Sequence, residues 1–108
     1  MKISDEVTVT IDRPLGTYHP EHKDIYYSIN YGYIEGTIAQ DNEYMDAYVL
    51  GVDKPIKSFT GKVIAIIHRK NDVEDKLVVA NENSYSKEDI EKAVYFMEQY
   101  FDYEIIME

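Results

Sequence analysis

Short apolar and β-branched runs, several of them alternating with polar residues, are spaced along most of the chain. At its start, residues Val7–Ile11 read V-T-V-T-I, an alternation that places one face of a strand on a core. The tyrosine-rich run after residue 24 is broken by Gly32 and Gly36, which indicates a strand, a bend and a second strand. The predicted strand segments are Val7–Ile11, Ile25–Ile38, Ala47–Val52, Lys62–His68 and Lys76–Ala80.

One segment near the end of the chain has helical periodicity. Ser86 can cap a helix, and Glu88 and Asp89 occupy the first turn, where the helix dipole favours negative charge. Asp89 also stands at the spacing of a capping box. The apolar positions that follow at helical spacing are Ile90, Ala93, Val94, Met97 and Phe101. We predict an amphipathic helix whose apolar stripe packs on the strands.

The order of these segments predicts the fold class. No helical connection lies between the predicted strands, which disfavours a parallel sheet. Short strands separated by turn residues are typical of a barrel or sandwich. We therefore predict a mainly β protein, an OB-like five-stranded barrel with one C-terminal helix packed on it. No repeat or linker divides the sequence, so residues 1–108 are predicted to form a single domain.

The net charge limits the partners of the protein. The sequence contains 21 acidic and 11 basic residues, a formal charge of -10, which repels nucleic-acid phosphates and anionic membranes. Residues Met1–Asp12 contain no apolar run long enough for a signal peptide or a membrane span. We expect a cytoplasmic protein with neither nucleic acid nor membrane as a partner. A phosphate compound can still bind if metal ions lie between it and the carboxylates.

Two acidic clusters are candidates for such a site. Asp41, Glu43 and Asp46 lie within six positions at a predicted turn before a strand. Further along, Glu74 and Lys76 share one face of an extended chain. Carboxylate oxygens suit Mg²⁺ or Mn²⁺, and a lysine beside them can contact a phosphate oxygen. The competing interpretation is that both clusters are solvated surface charges, as acidic turns usually are.

Together the motifs resemble the soluble inorganic pyrophosphatase family. They are N-Y-G-Y-I at Asn30–Ile34, an acidic turn of the form D-x-[DE]-x-x-D, and D…[DE]-x-K-L-V after a hydrophobic strand. I-D-R at Ile11–Arg13 and F-M-E-Q-Y-F-D-Y-E at Phe96–Glu104 extend the similarity. The resemblance implies an OB-type barrel that hydrolyses pyrophosphate to two phosphates with a metal-activated water. It implies Mg²⁺ as the cofactor, with Mn²⁺ as an alternative.

The resemblance also implies roles for individual residues, in three groups. The implied metal ligands are Asp41, Glu43, Asp46, Asp72 and Glu74. The implied catalytic residues near the attacking water are Glu43, Tyr31 and Asp46. The implied phosphate contacts are Arg13, Lys76 and Tyr100. Glutamate stands at positions 43 and 74 where the family pattern has aspartate, and the longer side chain at position 43 could move the water.

Departures from the family pattern leave other functions open. Only twelve residues precede Arg13, so we expect no counterpart of the family's N-terminal strands and a more open site. Phe101 replaces a phosphate-binding lysine. The alternatives are a pyrophosphatase-like metal and phosphate-binding module with little or no turnover, a hydrolase of another phosphoanhydride, and an acidic interaction domain without metal. Barrel edges and exposed tyrosines also leave a homo-oligomer open.

Basic residues elsewhere in the chain could compensate. The run L-G-T-Y-H-P-E-H-K-D, inserted before the N-Y-G-Y motif, carries His19, His22 and Lys23, although a loop with histidines is more often simply exposed. His68 and Arg69 end a hydrophobic strand, where they either face the site or place charge at the barrel edge.

Overall fold

The computed structural model of the chain describes residues 2–36, 44–70, 75–81 and 85–107. Strands make up 46% and helix 13% of the structure, which confirms the mainly β class. The elements in chain order are β1 Glu6–Arg13, β2 Asn30–Ile34, β3 Met45–Val49, β4 Ser58–Arg69, β5 Asp75–Ala80, α1 Lys87–Glu98 and β6 Tyr103–Ile106.

Five of the strands close into a barrel, as predicted. They follow the order β1-β2-β3-β5-β4, and the pairing of β1 with the first half of β4 completes the circle. Among the described strands, β3 and β5 pair in parallel, and the other pairs are antiparallel. The second half of β4 pairs with β6, a strand that the sequence did not predict.

Strand alternation gives the barrel two buried faces. One apolar cluster fills the interior with residues of the strands, among them Val9, Ala47, Val49, Val63, Leu77 and Val79. Tyr48 and Val78, at the alternate positions, point outward and pack with α1, and a bulge after Val63 turns Ala65 and Ile67 to the same outer face. Each fully buried aliphatic side chain contributes about 1.5–3 kcal/mol. The outer wall under α1 is therefore a second core.

The helix follows the sequence prediction closely. Ser86 Oγ accepts a hydrogen bond from the backbone N–H of Asp89 at 3.1 Å, and Asp89 Oδ2 accepts one from Ser86 N–H at 3.0 Å. Ile90, Val94 and Met97 are buried against the barrel. Among the described residues, no helix is long and apolar enough to cross a membrane.

Residues 14–29, here called the site loop, correct the prediction of a strand from residue 25. Within Ile25–Ile38, the described strand covers Asn30–Ile34. Ile25 and Tyr27 are buried residues of the site loop, and Tyr27 exchanges backbone hydrogen bonds with Gly16 and Thr17, both at 2.8 Å. In the sequence, apolar residues that are buried in a loop give the same pattern as apolar residues of a strand.

Two residues of the N-Y-G-Y motif have structural roles at the start of β2. The side chain of Asn30 is fully buried, and its Oδ1 accepts a hydrogen bond from Leu15 N–H at 2.9 Å while its Nδ2 donates to the carbonyl of Lys54 at 2.9 Å. A Cβ atom at Gly32 would lie 1.9 Å from the carbonyl oxygen of Thr10. Glycine therefore permits the close approach of β1 and β2.

Candidate active site

A cavity of about 270 Å³ lies on the outer wall of the barrel, beside α1 and the site loop. Its charged lining residues are Asp12, Arg13, Asp46, Arg69 and Lys76. We call it the charged cavity. It combines three cationic and two anionic side chains, whereas the wall next to it under α1 is apolar.

Asp46 stands at the centre of the hydrogen bonding in this cavity. Its Oδ2 accepts from Lys76 Nζ at 2.8 Å and from the Tyr31 hydroxyl at 2.6 Å. The parallel register that pairs Ala47 with Leu77 places Asp46 beside Lys76. The Lys76 side chain is 5% exposed and that of Asp46 is 32% exposed, so the carboxylate is the member of the pair that solvent reaches.

Tyr31 acts on Asp46 as a neutral donor. Loss of hydration raises the pKa of Tyr31 well above its usual value, and the negative charge of Asp46 raises it further. The phenol therefore keeps its proton and orients the carboxylate. It cannot serve as a base near neutral pH.

A bulge in β1 brings two consecutive residues into the charged cavity. Ile11 pairs with Gly32 and Arg13 pairs with Tyr31, the adjacent residue of β2. Asp12 is therefore an extra residue in β1. Neighbours in a regular strand point to opposite faces, and a bulge re-aims them. Arg13 Nη1 donates to the carbonyl of Asp12 at 3.1 Å. Burial raises the pKa of Asp12; Arg13 opposes this shift and Asp46 adds to it.

A buried charge network forms the wall between the charged cavity and α1. Arg69 donates to both carboxylate oxygens of Glu98, at 3.0 and 2.7 Å, and the Tyr48 hydroxyl donates to Glu98 at 2.5 Å. The Arg69 guanidinium also lies 3.7 Å from the centre of the Phe101 ring. Burial alone would lower the pKa of Arg69, but the hydrogen bonds and charge of Glu98 outweigh it and raise that pKa.

The oxygen donors of the charged cavity suit a hard divalent cation. Asp12 and Asp46 both line the cavity, and carboxylates are the ligands that Mg²⁺ takes in proteins. Within the described ranges there is no group of three or more histidine, aspartate or glutamate residues that could hold a metal. The predicted ligands Asp41, Glu43, Asp72 and Glu74 lie outside the described residues.

The structure brings four predicted site residues together, namely Arg13, Tyr31, Asp46 and Lys76. Tyr100 is 56% exposed and lines an adjoining cavity. The sequence prediction omitted Asp12, although it stands in the I-D-R motif, and left the direction of Arg69 open. Arg69 follows buried Ile67 by two residues and therefore shares its face of the strand. That spacing is the signal that could have predicted the burial of Arg69.

The closed five-stranded barrel places this protein in the class of OB-type barrels, and the charged cavity lies on the outer wall of that barrel. The sequence profile of the family described as inorganic pyrophosphatase matches residues 5–104, and the chain belongs to this family. The comparison with curated protein sequences gave no match. The family, fold and enzyme class predicted from the motifs are thereby confirmed.

Solved structures of pyrophosphatases are similar to the chain in fold. The enzyme of Ehrlichia chaffeensis superposes with a TM-score of 0.74 at 15% identity, covering 99% of this chain and 88% of that one. That of Coxiella burnetii gives 0.64 at 17% identity, covering 98% and 86%. That of Helicobacter pylori gives 0.62 at 18% identity, covering 100% and 86%. Enzymes of this family hydrolyse pyrophosphate and generally use a divalent metal.

Proposed function

We propose that the protein is a cytoplasmic, Mg²⁺-dependent inorganic diphosphatase that splits pyrophosphate into two phosphates at the charged cavity. The observation that carries this proposal is the cluster of Asp46, Lys76, Tyr31 and Arg13, joined from four strands within one cavity. Mn²⁺ is the expected substitute metal.

The cations of the cavity would hold the substrate. Lys76 offers a compact charge to a phosphate oxygen, and Arg13 offers the planar donor set that matches phosphate. Tyr100, on the adjoining cavity, is proposed to contact the outer phosphoryl group. Because the anhydride carries several negative charges, both phosphoryl groups need neutralisation before water can attack.

The carboxylates would hold the metal. Asp46 is the proposed ligand within the described residues. The other proposed ligands, Asp41, Glu43, Asp72 and Glu74, lie outside them. Bound Mg²⁺ supplies charge neutralisation and lowers the pKa of water. Tyr31 and Lys76 fix Asp46 through Oδ2, and neither of these hydrogen bonds uses Oδ1. Asp46 is thus oriented before any ligand arrives.

Glu43 is proposed to accept the proton of the attacking water. The oxygen of the water bonds to one phosphorus, the bond from that phosphorus to the bridging oxygen breaks, and the bridging oxygen leaves on the second phosphate. No side-chain nucleophile is needed, which agrees with a sequence that contains no cysteine.

Phosphate release from pyrophosphate, in Mg²⁺ and then in Mn²⁺, tests the proposal. We expect Asp46→Asn to lose about 10²-fold or more in turnover, the scale of loss seen when a single preorganised electrostatic group is removed from an active site. Asp75→Asn is the matched control. Asp75 lies on β5, the strand that pairs with the strand of Asp46, but it is 44% exposed and pairs with His68 instead of lining the cavity. Equal turnover of the two variants would contradict the proposal.

One observation favours the alternative of a binding module with little or no turnover. Phe101, which stands where the family pattern has a phosphate-binding lysine, is covered by the Arg69 guanidinium, and that guanidinium already binds Glu98. Pyrophosphate that binds in a metal-dependent way without phosphate release from the parent protein would support this alternative.

A further inference from the structure

A second cavity, of about 360 Å³, adjoins the charged cavity. The two share His19, Met97 and Phe101 in their walls, so one ligand can extend from one to the other. The remaining wall of the second cavity consists of Ile25, His22, Asp24 and Tyr100. Of the described residues that line it, none is lysine or arginine. We call it the apolar cavity.

Apart from the proposed contact with Tyr100, inorganic pyrophosphate leaves the apolar cavity unfilled. All its surface is phosphoryl oxygen, which the cations of the charged cavity match. Sites for small organic molecules are typically cavities of roughly 300–1,000 Å³ with apolar walls and a few polar groups. The adjoining pair therefore fits a substrate with a diphosphate at one end and an organic group at the other.

Planar rings make up much of the wall of the apolar cavity. His19 and His22 have ring centres 5.0 Å apart, and His19 is stacked on Tyr27 with an angle of 13° between the rings. His19 Nδ1 accepts from the backbone N–H groups of Glu21 and His22 at 3.0 and 3.2 Å, which fixes the imidazole in place. The His19 and His22 rings, with Phe101 in the same wall, suit stacking on a nucleobase.

Asp24 provides a polar group in the same wall. A carboxylate accepts hydrogen bonds, and the exocyclic amino group of a nucleobase donates them. Asp24 is exposed, so an aliphatic chain would add no hydrogen bond to a carboxylate that water already solvates, whereas an amino group can donate to it. The combination of stacked rings and one carboxylate favours a base over an isoprenoid chain.

We propose that the site takes a nucleoside diphosphate, with the diphosphate in the charged cavity and the base in the apolar cavity. This inference rests on the proposed function. Water bonds to the terminal phosphorus, the bridging P–O bond breaks on that side, and the bridging oxygen leaves on the nucleoside monophosphate. Inorganic phosphate is the second product, and the proton of the water passes to Glu43, as in the proposed function, and from there to the solvent.

The test compares kcat/KM for phosphate release from ADP, methyl diphosphate, isopentenyl diphosphate and inorganic pyrophosphate under the same metal concentration. Methyl diphosphate carries the ester without the base. We expect ADP to exceed methyl diphosphate by about tenfold, the scale of stacking one base on aromatic side chains. We also expect His22→Ala to lower the ratio of ADP to methyl diphosphate several-fold. His68→Ala, a half-exposed histidine outside both cavities, is the control that leaves the ratio unchanged.

The outcomes separate this inference from the proposed function. Turnover of inorganic pyrophosphate with ADP no better than methyl diphosphate would overturn the inference alone. Preference for isopentenyl diphosphate over ADP would overturn it in favour of an aliphatic substituent. Turnover of none of the four compounds would overturn the inference and the proposed function together.

Discussion

Two ion pairs on the same wall of the barrel are alike in length but differ in their access to solvent. Lys76 and Asp46 approach to 2.8 Å, and Arg69 and Glu98 approach to 2.7 Å. The carboxylate of Asp46 is 32% exposed, whereas that of Glu98 is 0% exposed. The two ion pairs therefore cannot be told apart by their length. They differ in whether solvent, and so a ligand, can reach the carboxylate.

The difference has a physical reason. A buried carboxylate and guanidinium lose their hydration, and their mutual attraction repays this only if every hydrogen bond is made. Glu98 meets that condition through Arg69 and Tyr48, so the network joins α1 to β3 and β4. The pair at Asp46 opens onto the charged cavity, where a ligand can compete for the carboxylate.

The largest effect is expected at the enclosed pair. Glu98→Gln removes the negative charge that faces the buried guanidinium of Arg69, and breaking such a pair typically costs about 3–5 kcal/mol. Urea denaturation of the variant measures this loss in the free energy of unfolding. Glu91→Gln, at an exposed position of the same helix, is the control and should stay within about 0.5 kcal/mol of the parent. Equal losses in both variants would refute a structural role for the network.

A smaller effect is expected at the open pair. Tyr31→Phe removes the hydrogen bond to Asp46, which is worth about 1.5 kcal/mol when the acceptor is charged, or roughly a tenfold loss of phosphate release. Stability should fall by no more than about 1.5 kcal/mol. Tyr33→Phe, two positions along the same strand and stacked on Tyr44, is the matched control. If the two variants release phosphate equally, Tyr31 does not orient Asp46.

The smallest effect is expected at the other end of α1, where a charge is held without burial. Hydrogen bonds from the backbone and then the hydroxyl of Ser86 lower the pKa of Asp89 below its usual 3.8. The charged form therefore stabilises the folded state above that pH, and this contribution disappears as the pH falls through the lowered pKa. The parent should melt at a higher temperature than Asp89→Asn at pH 7, and the gap should close in acid. A gap that stays constant between pH 7 and pH 2.5 would contradict this.

Local features of the fold were predictable from the sequence. The capping box joins Ser86 and Asp89, three residues apart, so the pattern contains both partners. β1 follows from alternation because it has one face on the interior, and β5 follows from an unbroken apolar run because both of its faces are buried. The role of Arg69 was not predictable, since it depends on Glu98, 29 residues away, and a charged residue at a strand end ordinarily lies in solvent.

The site was predictable as far as its motifs reach. Arg13, Tyr31, Asp46 and Lys76 were expected to gather, and they line one cavity. Asp12 was missed because regular alternation would point it away from Arg13, and only the bulge in β1 turns both toward the charged cavity. The apolar cavity was missed because its walls come from the site loop and the end of α1, which no periodic pattern connects.

The parallel pairing of β3 and β5 has a consequence for assembly of the protein. Asp46 and Lys76 are 30 residues apart, and strands that run side by side in this way cannot come from a tight hairpin. Their contact exists only where β3 lies beside β5, so a chain in which these two strands are apart lacks it. Any molecule that recognises this contact will bind finished barrels in preference to partly folded ones, and will act as a selective stabiliser.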